Sequence, residues 1–126
     1  MDRIDLIPNA ERAVVDVRKL HDYCLNPKHD DGKHKALLFF SILKMSADNA
    51  EELRGILLRA IRTHEAKKGR RDRFGQRYTL DFPIEWGGRS AMLRSGWIIE
   101  EGSAVPRLTT CFPLKSIQDI GRNGKN

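Results

Sequence analysis

Three stretches of alternating side chains close the chain, and they constrain the fold more tightly than anything else in it. Gln76, Tyr78, Leu80, Phe82 and Ile84 alternate with Arg77, Thr79 and Asp81, the period-two pattern of a strand with one buried face. After Gly87-Gly88, the residues Ala91, Leu93, Ser95, Trp97 and Ile99 share one face of a second strand. After the turn Glu100-Glu101-Gly102-Ser103, Leu108, Thr110, Phe112 and Leu114 share one face of a third. Connections this short join antiparallel neighbours, so the segment reads as a meander with one apolar face that some other layer must cover.

The covering layer lies upstream, where the period is helical. Ala50, Leu53, Ile56, Leu57, Ala60 and Ile61 form one stripe. Ser46 or Asp48 is available as its cap, Glu51 stands three residues after Asp48, and the spacing predicts a helix that ends near Lys68-Gly69. A second helix is predicted from Lys33 to Met45, apolar nearly all round and therefore central. A shorter one is predicted from Val17 to Leu25, with Val17, Leu20, Tyr23 and Cys24 on one face and Asn26-Pro27 as its stop. Ile4–Ile7 and Ala13–Val17 flank Pro8-Asn9 and read as a short hairpin. Helices followed by an antiparallel sheet make an α+β fold. A single domain is expected over residues 1–114, with a polar tail at 115–126.

Several function classes fall away. No apolar run reaches the roughly 18 residues of a membrane span, and the first residues carry no export signal, so the expected location is the cytoplasm. Cys24 and Cys111 form no C-x-x-C pair and read as reduced core thiols. His21, Cys24, His29 and His34, with Asp30-Asp31, match no standard zinc spacing, so no metal and no cofactor are expected. There is no P-loop, dinucleotide fingerprint or nucleophile elbow.

Charge is more informative. Lysine and arginine number 23 against 17 acidic residues, a net charge of +6, and the cations concentrate in Gly32-Lys33-His34-Lys35 and in Lys67–Arg73. In the predicted second helix, at about 100° per residue, Lys35 falls on the arc of Phe39 and Ile42, the side that meets the sheet. Cations at a helix start oppose the helix dipole unless an anion sits there, and phosphate would also use the free N–H groups behind Gly32. The alternative for Lys33, His34 and Lys35 is a solvated helix start. Gln76, Ser95 and Thr110 lie on the apolar parity of the three strands and are expected either to line a cleft facing Lys35 or to bond to backbone. Arg94 and Arg107 have the opposite parity but are held on strands, which suits bidentate phosphate contact.

Taken in order, LIPNAERAVVD, KLHDYCLNPKHDDGKHKALLF, FGQRYTLDFPI, RSGWII and VPRLTTCF resemble a family of small bacterial domains of unknown function, over residues 6–114. In layout that family is similar to the barnase, EndoU, colicin and RelE-like group of ribonuclease toxins. The resemblance implies a metal-independent endoribonuclease that cleaves RNA through 2′-hydroxyl attack and is restrained by a cognate antitoxin or immunity protein. It would make His34 the proton-transfer group and place Lys35, Arg94, Ser95 and Thr110 in the catalytic set. Lys33, Gln76, Arg77 and Arg107 would then bind substrate. One departure is that the sheet offers no histidine and no inward glutamate, leaving Lys35, His29 or His64 as the second proton-transfer group. The competing reading is a non-catalytic basic module or inhibitor, of mobile-element or phage type, that binds nucleic acid or an acidic protein. Neither reading fixes an oligomeric state.

Overall fold

The computed structural model describes residues 5–116. Its long helix is capped by Ser46, but the capping box pairs Ser46 with Asn49, not Asp48 with Glu51: the two close reciprocally around a 3-10 turn, Ala47–Asn49, and α3 (Ala50–Thr63) follows. Leu53, Leu57 and Ile61 on α3 are fully buried, each contributing about 2 kcal/mol of apolar burial. The helix stops at Thr63, short of the expected end, because His64 turns extended (φ −109°, ψ 145°). The basic run then pairs with the next strand as β1 (Lys67–Asp72).

The sheet therefore has four strands, β1, β2 (Gly75–Trp86), β3 (Arg89–Glu100) and β4 (Pro106–Ser116), antiparallel and in sequence order. Gly87 and Gly88 both have positive φ, 56° and 79°, in the two-residue loop that joins Trp86 to its partner Arg89. That turn matches the twist of the strands it connects, and glycine adopts it without strain. One face of the sheet carries Leu80, Ser95 and Cys111 in register, then Phe82, Leu93 and Pro113. Trp97 lies between Tyr78 and Leu108 on the same face.

Parity fails on β4. Gly96 pairs with Thr110 while Trp97 pairs with Leu108, so Thr109 is an extra residue, a β-bulge. Beyond it Cys111 and Pro113 point to the core, and Thr110 and Phe112 stand on the other face beside Gly96 and Arg94. A Cβ on Gly96 would come within 3.0 Å of Thr109 Oγ1 and 3.3 Å of Thr110 Cγ2. Glycine leaves the room into which both threonines lean.

The helical layer covers the core face. α1 (Val17–Lys19) continues as a wide π turn, Leu20–Cys24, and α2 (Lys33–Leu38) as another, Phe39–Leu43. Leu20, Cys24, Phe39 and Leu43 are buried from these segments. α2 is more peripheral than its apolar composition predicts, since Leu37 and Phe40 are 58% and 54% exposed. The expected N-terminal hairpin does not form. Residues 10–12 make a 3-10 turn, and Val14 forms a single parallel bridge to Arg107 at the edge of β4. Ile4 lies outside the described residues, and of the expected tail Lys115 and Ser116 belong to β4 while 117–126 lie outside. Both cysteines are free and buried. Among the described residues no helix is long and apolar enough to cross a membrane.

Candidate functional site

The start of α2 is built around Gly32. A Cβ there would sit 2.0 Å from the Tyr23 carbonyl oxygen, so only glycine lets the loop pack on the end of the preceding helix. The loop caps itself: His29 Nδ1 accepts from the backbone N–H groups of Asp31 and Gly32, both at 3.0 Å. The His29 carbonyl accepts from Lys33 N–H at 2.9 Å. The N–H groups of Asp31, Gly32 and Lys33 are thus already engaged. With Nδ1 accepting, the proton of the neutral ring sits on Nε2.

This packing fixes Lys35. Its Nζ donates to the Tyr23 hydroxyl at 3.1 Å and lies 5.2 Å from the centre of that ring and 5.8 Å from that of Phe112. His29 meets Tyr23 edge-on, with ring centres 5.0 Å apart. Lys35 is half-buried, and among the described residues no carboxylate pairs with it. Because Phe112 pairs with Arg94 on the uncovered face, the Lys35 ammonium stands at the β4 margin of that face. Lys33 and His34 are exposed on the same helix, and no side-chain hydrogen bond or ion pair holds either among the described residues.

The uncovered face carries the arginines. Arg94 grips Asp81 with two bonds, at 2.9 and 2.8 Å, and these raise its pKa further. Arg107 bonds Glu100 at 3.1 Å and holds that carboxyl below its ordinary range. Arg77 bonds Asp72 at 3.0 Å. With a backbone N–H from Phe74 and a bond from Arg70, it draws the Asp72 pKa down to about 2. Arg77 and Arg107 flank Ile98, only 3% exposed, so their stems shield an apolar residue on an otherwise wet face. Beside Arg94, a cleft of about 270 Å³ is lined by Glu65, Lys67, Thr79 and Asp81.

The polar residues expected to face Lys35 together are divided between the two faces. Ser95 is fully buried in the core, donating to the Leu80 carbonyl at 2.8 Å and accepting from Trp97 Nε1 at 2.9 Å. Gln76 is 8% exposed and spends its amide on backbone, with Nε2 donating to the carbonyls of Gly69, Arg70 and Arg77. These two line no cleft. Thr110 does reach the uncovered face, through the bulge, and its Oγ1 is shielded without a hydrogen-bond partner. His64 lies near Phe82 with its Nδ1 by Thr63 and the Ala60 carbonyl, on the covered side.

Tyr23 and Phe112 were not legible as site residues. Tyr23 shared a helical face with core residues, and the bulge hid the direction of Phe112. Among the described residues no group of three ligating side chains could hold a metal ion.

The family described as Domain of unknown function (DUF6883) matches residues 6–115, so the chain belongs to it. The fold is similar to that of one chain in a contact-dependent growth inhibition toxin and immunity protein complex from Klebsiella pneumoniae 342. The TM-score is 0.61 at 16% identity, over 80% of this chain and 99% of that one. No curated protein sequence matches the chain.

Proposed function

We propose that this member of the DUF6883 family is a toxin that cleaves RNA without a metal ion, held in check by a cognate immunity protein or antitoxin. The shared fold with a chain of a toxin and immunity protein complex supports the toxin class. The observation that carries the RNA reading is Lys35, a half-buried ammonium that a phenol and two aromatic rings hold with no carboxylate to neutralise it. A fixed cation without a counter-charge favours an anion beside it, and the phosphate of a bound RNA gains charge as it is attacked.

In this reading the ribose 2′-oxygen loses its proton and bonds to phosphorus, the bond to the 5′-oxygen breaks, and that oxygen takes up a proton. Lys35 and Arg94 stabilise the phosphorane. The Tyr23 hydroxyl accepts from Lys35 and is free to donate to a phosphate oxygen, and the shielded Thr110 hydroxyl joins it only by turning outward. His29, already packed on Tyr23, is the nearer imidazole for proton transfer, with His34 five residues along the chain as the other candidate. Lys33, Arg77 and Arg107 extend the cationic surface for flanking phosphates.

The non-catalytic reading draws on a different observation. Asp81 and Glu100 on the uncovered face are both tied to arginines, and no histidine lies on β2, β3 or β4. One experiment separates the readings. Purified protein is incubated with total RNA in a chelator, and the products are examined for cyclic phosphate ends. Cleavage that disappears in Lys35→Ala supports the nuclease. Bound but intact RNA supports the binding module, and RNA neither bound nor cut removes the nuclease and leaves the module an acidic protein as its partner.

A further inference from the structure

We infer that β1 and the turn after it form a second nucleic-acid contact, an arm that holds the phosphate backbone and one unpaired base of an RNA that has another phosphate at Lys35. The inference rests on RNA as the ligand, and does not require that the protein cleave it.

β1 is an edge strand in which every residue from Lys67 to Arg71 is exposed, with four cations in six positions. Edge cations alone are how sheets avoid pairing with one another. The tip has a more specific construction. Asp72 Oδ1 accepts from Phe74 N–H at 2.9 Å, while its Oδ2 accepts from Arg70 Nε and Arg77 Nε, each at 3.0 Å. One carboxylate therefore clamps both strands and the turn between them. What the clamp presents is Phe74, an aromatic left 55% exposed, with the Arg73 guanidinium 4.8 Å from its ring centre. Protection of a sheet edge gives no reason to expose a phenylalanine. An aromatic face beside a guanidinium is the pairing that stacks a base and holds its phosphate.

The cations also divide by availability. Arg70, Arg71 and Arg77 are paired with Asp72 or Glu101, whereas Lys67, Lys68 and Arg73 have no carboxylate partner among the described residues. Lys67 pairs with Thr79, which pairs with Gly96, which pairs with Thr110. It therefore stands on the uncovered face, in the row that crosses to the Lys35 side, and lines the cleft next to Arg94. From Lys67 to Asp72 the strand runs about 17 Å, so the arm extends the cationic track well beyond one phosphate.

The test measures binding of a fluorescent 2′-O-methylated RNA oligonucleotide, which cannot undergo 2′-attack, to the full chain across a series of salt concentrations. Each phosphate of a single strand that the protein ceases to neutralise lowers the slope of log K against log salt by about 0.7. The triple variant Lys67→Gln, Lys68→Gln, Arg73→Gln is expected to bind at least about tenfold more weakly, with the slope reduced by about 2. Phe74→Ala is expected to weaken binding by about tenfold with the slope unchanged. Thermal unfolding of each variant at the parent temperature confirms that the arm, not the fold, was altered. Variants that bind with the parent affinity and slope overturn the arm and leave the RNA reading standing. No binding by the unaltered chain overturns both.

Discussion

The indole N–H of Trp97 donates to the Ser95 hydroxyl at 2.9 Å, two residues back on the same strand face, and that hydroxyl in turn donates to the Leu80 carbonyl at 2.8 Å. The three groups make a closed polar relay inside the apolar core. Removing its centre strands a buried indole N–H and leaves a carbonyl short of a partner. Ser95→Ala is expected to destabilise the domain by about 1–3 kcal/mol. Chemical denaturation should show a lower midpoint with an unchanged slope.

Lys35 and Tyr23 are separable by substitution. Lys35→Ala removes the cation and about 1 kcal/mol or less of cation–ring attraction, so the fold should persist while RNA cleavage falls by about 100-fold or more. Tyr23→Phe keeps the ring under the ammonium and deletes only the hydroxyl, so its rate should fall between the two. Cleavage is measured under single turnover, with thermal unfolding in parallel. An unaltered rate in Lys35→Ala would remove Lys35 from the reaction.

Periodicity in the sequence reaches some of these residues and misses others. The arc that placed Lys35 with Phe39 followed from helical geometry alone and holds, with Lys35 half-buried beside the sheet edge. The parity that placed Ser95 in the core holds as well, because β2 and β3 pair without a slip from Gly75 to Trp86. Thr110 and Phe112 misled because a bulge at Thr109 inserts one residue, and a period of two has no way to register it. β1 stayed hidden for another reason: as an edge strand with no covered face it needs no alternation, and Lys67–Asp72 shows none. Contacts between separate elements, such as Gly32 on Tyr23, have no periodic signature at all.

Thr110 gives a test with opposite signs for stability and function. Its Oγ1 is shielded and unpartnered, and a buried hydroxyl without a bond costs free energy. Thr110→Val removes that hydroxyl at nearly constant shape and is expected to stabilise the domain by up to about 1 kcal/mol. If the hydroxyl turns to a phosphate when RNA binds, the same variant cleaves or binds RNA more weakly. A variant both more stable and fully active would reduce Thr110 to a flaw in packing.

Acid should loosen the arm. Asp72 is drawn from an ordinary value of 3.8 down to about 2 by Arg77, the Phe74 N–H and Arg70. A lowered folded-state pKa means that the unfolded chain binds the proton first. The contribution is then complete above the unfolded value and is lost as pH falls from about 4 toward 2. Glu100 and Asp16, also lowered by arginine partners, act in the same direction. Amide exchange across β1 and its turn should quicken over that interval, and Asp72→Asn should show the faster exchange already at neutral pH. Equal protection in the variant would mean that the carboxylate does not clamp the tip.

Gly32 links the fold to the proposed chemistry most directly. The 2.0 Å approach to the Tyr23 carbonyl leaves no space for a methyl group, and the obstacle is backbone, which cannot swing aside as a side chain would. Gly32→Ala must push the start of α2 away from Tyr23, costing about 1–3 kcal/mol. The displacement acts on the loop that carries His29 and on the turn that carries Lys35. The hydrogen bond from Lys35 to Tyr23 should lengthen or break, and RNA cleavage should fall further than the loss of folded protein explains. Measuring single-turnover cleavage well below the melting temperature, where nearly all molecules are folded, isolates that part. A folded Gly32→Ala protein with the full rate would show that the packing of Gly32 on Tyr23 serves stability alone.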